Sequence, residues 1–265
     1  MMNGNKRTLL ITAVLGVTLL LAGCTSAITG DSDGSDALPD NMTADELQEK
    51  AVSASEDVES ATFTMDMSMD LGDQGSAEMS TDGAMDMAAE KMRMEMEMDT
   101  MGQGFDITQY VVGETIYQQM DGGWQKQSVP GFWDQSQYAQ QQEALESATE
   151  FEVTEQTTVN GNDVYKMEID VDEEQLLETV QQQGNQQGMG SLYENADISN
   201  VEMTQYIDTD TYQIRQVEMS MDMSMMGEDA TMNMTMTYDS INEPVDITLP
   251  EEAEGASSAG SGTNY

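Results

Sequence analysis

Apolar and acidic positions alternate along two long stretches of this chain. Between Thr62 and Asp99, Met65, Met67 and Met69 alternate with Asp66, Ser68 and Asp70. Met85 and Met87 flank Asp86, and Met92, Met94, Met96 and Met98 alternate with Arg93, Glu95 and Glu97. The pattern returns with Met219, Met221, Met223 and Met225, and again with Met232, Met234 and Met236. A period of two puts alternate side chains on opposite faces of a strand. These stretches therefore predict a sheet with one methionine face and one acidic, wet face.

The other elements follow from local signals. Thr43-Ala44-Asp45-Glu46 is a capping box, and Leu47, Ala51, Ala54 and Val58 follow at helical spacing, which predicts a helix over 44–59. A meander of strands is expected at 61–71, 76–87, 91–98, 105–112 and 115–120, broken mostly by glycine turns. Gly83, inside the second strand, reads as a bulge or bend. Asp121-Gly122-Gly123 turns the chain into an aromatic strand start at Trp124, and Val129-Pro130-Gly131 breaks the sheet. Residues 132–148 are rich in Gln and Glu and predict a helix with Phe132, Tyr138, Ala144, Leu145 and Ala148 as its apolar positions. Strands at 151–159 and 164–171 form a hairpin around Asn160-Gly161-Asn162. Asp172 caps a helix expected over 173–183, and 184–190 is a Gln/Gly loop. Strands at 198–207, 212–224 and 231–238 close the domain, and 241–250 is its last ordered piece. From Glu251 the composition turns to Gly, Ser and Ala and predicts a disordered tail.

The N-terminus carries a different signal. Lys6 and Arg7 precede an apolar run of 13 residues, Leu9 to Leu21. That run is too short for a helix to span ~30 Å of hydrocarbon and suits a signal peptide. It ends in Leu21-Ala22-Gly23-Cys24, which resembles a lipobox, the cleavage and lipidation site of lipoprotein signal peptides. Cys24 is the one cysteine of the chain, so no intramolecular disulfide forms. Asn5-Lys6-Arg7-Thr8-Leu9-Leu10 is similar to a twin-arginine signal with Lys in place of the first Arg, which leaves the export route open. Residues 25–41 are Gly, Ser, Asp and Thr with one Pro and read as a flexible tether. The expected layout is a signal peptide over 1–23, a tether over 24–41, a domain over 42–250 and a tail over 251–265. Asn41 and Asn233 each open a glycosylation sequon, the second inside a predicted strand.

Charge narrows the partners. Asp and Glu number 51 against 8 Lys and Arg, a formal net charge of −43 spread along the whole chain. Such a surface repels nucleic acid and anionic membranes. It also repels itself unless screened, and molar salt cuts the Debye length to about 3 Å. With only five lysines, the composition points to a halophilic archaeon, whose carboxylates face a salt-rich solvent.

Three stretches carry a family resemblance. They are Tyr110-Val111-Val112-Gly113-Glu114-Thr115-Ile116-Tyr117 with the Gly-Gly-Trp turn after it, Tyr206-Ile207-Asp208-Thr209-Asp210-Thr211 followed by Ile214, and Tyr238 through Asn242-Glu243-Pro244-Val245 to Leu249-Pro250. With the lipobox and the order of elements, the chain from about Thr43 to Pro250 resembles the LolA/LppX-like envelope lipoproteins and carriers. The resemblance implies an α+β fold: a strongly curved antiparallel half-barrel of about ten or eleven strands wrapped around two to three helices. It also implies an apolar cavity between sheet and helices, which in related proteins holds acyl chains. The chain departs from the family in using methionine where the carriers use Leu, Val and Phe.

Three readings of the methionines stay open. They are supple core packing, a deformable cavity for a hydrophobic molecule such as a lipid, or a soft-metal site for Cu(I). The candidate lining residues, chosen by alternation, are Phe63, Met65, Met67, Met69, Met85, Met87, Met94, Met96, Met221, Met223, Met234 and Met236. The chain has no histidine, no P-loop and no dinucleotide fingerprint, so neither an enzyme nor a cofactor is expected. The expected partners are a membrane, through lipid on Cys24, and a hydrophobic small molecule; no protein partner is assigned. The leading expectation is a lipid-anchored carrier on the extracellular face of the cell membrane. The alternative is a structural envelope lipoprotein with a filled core.

Overall fold

The computed structural model describes residues 38–39, 42–72, 75–100, 103–120, 122–133, 148–177, 181, 197–225 and 228–258. Cys24, Asn41 and most of the helix expected over 132–148 lie outside them, as does the Gln/Gly loop.

The sheet is built from two antiparallel meanders. The first is β1 (Ser60–Asp70), β2 (Ser76–Asp86), β3 (Lys91–Thr100), β4 (Gln103–Val112), β5 (Thr115–Met120) and β6 (Gly123–Ser128). The second is β7 (Ala148–Val159), β8 (Asn162–Val171), β9 (Asp197–Asp208), β10 (Ile214–Met225) and β11 (Glu228–Ile241). A two-residue strand, β12 (Ser257–Ser258), lies parallel to β6. The order across the sheet is β12-β6-β5-β4-β3-β2-β1-β11-β10-β9-β8-β7. Apart from β12 the sheet is antiparallel; it is large and curved, and it does not close into a barrel. Strand β1 pairs with β11, so the first and last long strands meet in the middle. Twelve strands form where about ten or eleven were expected. The aromatic strand start at Trp124 grows into β6, and β12 is added by the C-terminus.

Helix α1 (Ala44–Glu56) begins at the capping box the sequence encodes. Glu46 N–H donates to Thr43 Oγ1 at 3.2 Å, and Thr43 N–H donates to Glu46 Oε2 at 3.0 Å. The helix stops at Asp57, short of the expected 59. Its buried Leu47 and Ala51 pack on Val153, Met167, Ile169, Met203 and Val217 of the second meander, with Leu38 and Met42 at the margin. Lys50 Nζ sits 4.6 Å from the centre of the Tyr212 ring, a cation–π contact that ties the helix to the β9–β10 corner. Asp172 caps the helical residues 173–177 as expected, accepting from Gln175 N–H at 3.0 Å.

Three expectations are corrected. Ala148 opens β7 and Phe132-Trp133 lie in a turn, so neither is helical. The chain from Glu251 is ordered up to Ser258, with a short helix at Glu251–Glu254 and buried Ala253 and Ala256. The composition-based reading missed this because small residues fit tightly against a sheet as readily as they make a flexible tail. Gly83 makes no bulge, since β2 keeps unbroken register with β1 and β3. Instead the Phe63 ring lies over it, and a Cβ there would meet Phe63 Cζ at 2.0 Å. The glycine is the space in which the ring sits.

The family-like stretch from Tyr238 to Pro250 proves to be a structural joint. Asn242 lies at φ +60° and bonds back to the start of β1. Its Oδ1 accepts from Glu59 N–H at 2.7 Å, its N–H donates to Ser60 C=O at 2.7 Å, and its Nδ2 donates to Asp57 C=O at 3.2 Å. Past this joint, Lys91 Nζ donates to Ile247 C=O at 3.2 Å, and the C-terminal segment reaches β5 and β6.

The Gly83 site yields a stability test. Gly83→Ala should cost about 1–3 kcal/mol through overpacking. The cost should shrink in a Phe63→Leu background, which removes the far end of the ring. Urea unfolding of the two single variants and the double variant measures the coupling, and additive costs would show that the ring is not the obstacle.

Candidate functional site

Register turns the alternating methionines into rows that run across the strands. One row reads Met203, Met219, Met234, Met67, Met79 and Met98, one methionine from each of β9, β10, β11, β1, β2 and β3. Directly opposite residues in antiparallel pairs stand about 4.5–5.5 Å apart at Cβ, so these six thioethers form a continuous band. The row ends at Phe105 of β4, the one large exposed hydrophobic residue among the described residues, at 47%. The adjacent row reads Met167, Gln205, Val217, Met236, Met65, Thr81, Met96 and Ile107. Further along, Ala61, Met85, Met92, Val111 and Ile116 continue the same face.

All twelve candidate residues fall on this methionine face or at its margin. Phe63, Met65, Met85, Met94, Met96, Met221, Met234 and Met236 are buried. Met67, Met69, Met87 and Met223 are half-buried. The candidate list left out Met92, Met98 and Met219 of the alternating stretches, and alternation did not point to Met79 or Met203; these five complete the rows. Alternation also missed three polar members of the face: Thr81 at 1% exposure, Gln109 at 3% and Gln205 at 1%. Thr81 Oγ1, Gln109 Nε2 and Gln205 Oε1 have no hydrogen-bond partner among the described residues. Their signal was available as a polar residue at an apolar parity position within a strand.

The opposite face is strongly acidic. Asp82 stands opposite Glu95, Glu78 opposite Asp99, and Glu97 opposite Asp106. Like charges directly opposite destabilise a sheet. An open depression of about 680 Å³ is lined by Asp66, Glu78, Glu97, Asp99, Asp106 and Asn233 together with Met67, Met79, Met98 and Phe105 of the row. Asn233 is exposed and accepts from Ser220 Oγ at 3.0 Å. No metal-competent group of three or more His, Cys, Asp or Glu occurs among the described residues.

Asp208 is committed to the β9–β10 corner. Its Oδ1 accepts from Asp210 and Thr211 N–H at 3.0 and 2.9 Å, and its Oδ2 accepts from Arg215 Nε at 3.0 Å. Burial pushes this carboxyl up, but the two backbone donors and the guanidinium together hold it below its ordinary value. Nearby, burial and a 3.0 Å hydrogen bond to Glu218 push the Tyr206 hydroxyl up to about 12. No described helix is long and apolar enough to cross a membrane.

A family model described as "Family of unknown function (DUF6612)" matches residues 43–257. The chain belongs to that family. The DUF6612 match ends within β12, which agrees with the ordered C-terminal segment. No curated protein matches the sequence. Among solved structures, the chain is similar to the lipoprotein LppX of Mycobacterium tuberculosis at 12% identity, covering 76% of this chain and 96% of LppX with a TM-score of 0.46. It is similar to LprF from Mycobacterium bovis at 12% identity, covering 78% and 95% with a TM-score of 0.45. A LolA superfamily protein from Nitrosomonas europaea matches at 9% identity, covering 75% and 94% with a TM-score of 0.27.

Two outcomes are expected. Thermal unfolding midpoints should rise from low salt to molar KCl as the opposed acids are screened, and a flat response would mean that they are already relieved. Asp208→Asn should cost about 1–3 kcal/mol at neutral pH. Because the carboxyl is depressed in the folded state, its contribution is present above the ordinary carboxylate range. It should be lost as pH falls below about 4, so the gap between parent and variant should close there in urea titrations.

Proposed function

We propose that this DUF6612 protein is a lipid-anchored extracellular lipoprotein that binds or carries a hydrophobic molecule, a lipid by preference, on its methionine face. The observation that carries the reading is the six-methionine row across β9, β10, β11, β1, β2 and β3. A packed core needs apolar volume but not one kind of side chain repeated over six neighbouring strands. Thioether chains have three rotatable bonds and adapt to ligands of different shape. The exposed Phe105 at the end of the row supplies an apolar point of entry.

Cys24 is the anchor in this reading, with residues 1–23 removed and the tether holding the domain off the membrane. The opposed acids of the outer face support a salt-rich habitat such as that of a halophilic archaeon. The reading is non-catalytic.

A filled core without ligand competes with it, favoured by the near-complete burial of Met65, Met92 and Met167. Native mass spectrometry of the protein isolated from its own host separates the two. The expected result is a retained mass of several hundred daltons, released by organic solvent and identified as lipid. A clean unliganded mass, with no uptake of a fluorescent acyl probe in molar salt, would overturn the carrier reading. A retained copper ion would instead assign the thioether row to Cu(I).

A further inference from the structure

We propose that the carried molecule is an uncharged amphiphile whose polar head is held by a row of glutamines at one end of the methionine face. This rests on the carrier reading and adds the class of ligand. Gln109 of β4 lies directly opposite Met94 on one side and Gln118 of β5 on the other, and Gln118 lies opposite Gln125 of β6. The row continues in the other direction through Gly83 to Phe63. One line across the sheet thus passes from an aromatic ring and a thioether to three side-chain amides.

Exposure grades along the amides. Gln125 is exposed, Gln118 is half-buried and Gln109 is 3% exposed. This is a polar track leading from solvent into the apolar face. At its inner end Gln109 Nε2 has no acceptor among the described residues. An amide buried without a partner costs free energy, so such groups are normally paired with protein, water or ligand. An oxygen of a bound head group at this point removes the cost. Thr81 Oγ1, also buried and unpartnered, lies two strands and one row away, roughly 12 Å at the backbone from strand spacing and rise. It offers a second hydrogen-bonding stop within the apolar face.

The head must be neutral on two grounds. Among the described residues an anion finds no cation here. Lys91, Arg93 and Lys126 alternate with Met92, Met94, Gln125 and Gln127 and so face the other side of the sheet. Lys166 pairs with Glu168, Arg215 with Asp208, and Lys50 sits on Tyr212. The net charge of −43 repels an anion further. A cation fares no better inside, since the Gln109 row and its neighbours carry no acid, and a buried charge without a partner is costly. Hydroxyl, ester, ether or ketone oxygens match the amide donor.

The test uses the full exported chain with Cys24→Ser, so that no anchor lipid is carried. It is equilibrated in molar KCl with monoolein (a neutral glyceryl ester), oleate (an anion) or octadecene (no head), and retention after gel filtration is measured by mass spectrometry. Monoolein should be retained in preference to both others. Gln109→Leu should cut monoolein retention about tenfold and leave octadecene retention unchanged. Unliganded stability of this variant should match or exceed the parent's, because it replaces a buried amide whose Nε2 has no partner with an apolar group of similar size. If Gln109→Leu does not fold, Gln118→Leu, at the half-buried position, should shift selectivity in the same direction. Equal retention of monoolein and octadecene, or no effect of either variant, would overturn the head-group site and leave the carrier reading standing. No retention of any probe would overturn the carrier reading itself, and the site with it.

Discussion

The pairing of β1 with β11 is the constraint on which the rest of this structure depends. Each meander alone is an open sheet with one apolar face. Joined, they place Met67 opposite Met234 and Met65 opposite Met236. The six-methionine row is continuous only because of this seam, since three of its members come from each meander. Asn242 fixes where the seam begins by satisfying backbone groups at Asp57, Glu59 and Ser60 from its place after β11. Register matters acutely here, because a slip of one residue would turn the methionines outward and the acids inward.

The two faces of the sheet solve opposite problems. The outer face carries carboxylates directly opposite one another and depends on solvent ions to relieve them. Among the described residues the inner face carries none of this charge, and its buried polar groups are neutral: the amides of Gln109 and Gln205 and the hydroxyls of Thr81, Tyr165 and Tyr238. The separation is nearly complete because alternation holds along most strands and breaks at register shifts only in the β1–β11, β9–β10 and β7–β8 pairings. Where the chain makes an ion pair with both partners mostly buried, at Asp208 and Arg215, it serves the β9–β10 corner and adds two backbone hydrogen bonds. That corner also receives Lys50 of α1, so the helix is held both by apolar packing and by a cation over Tyr212.

The edges are managed unequally. At one end β12 and the short helix before it cover β6, and Tyr110 stacks at a tilt on Trp124, 6.0 Å between ring centres. At the other end β7 is the outermost strand, carrying Glu150, Glu152 and Glu155 among exposed positions. Charged residues on an outer strand discourage pairing with a second sheet. Trp133 Nε1 donates to Gly113 C=O at 2.9 Å and holds the turn after β6 against the first meander.

The methionine alternation by itself determined that a sheet would form, which residues share a face and that the other face would be acidic, because side-chain direction in a strand depends only on sequence parity. The capping box of α1 and the Asp172 cap were legible for the same reason: both are contacts within three residues. Tertiary structure alone decided the rest. Which strands are neighbours, and so which methionines form a row, rests on pairings between residues far apart in the chain, such as Met67 and Met234. Gly83 was readable as unusual, but the ring that needs its space comes from another strand. The C-terminal residues looked like a tail because their order comes from burial against β5 and β6, not from their own propensity. The glutamine row emerges only when β4, β5 and β6 are laid side by side in register, since Gln109, Gln118 and Gln125 share no local motif.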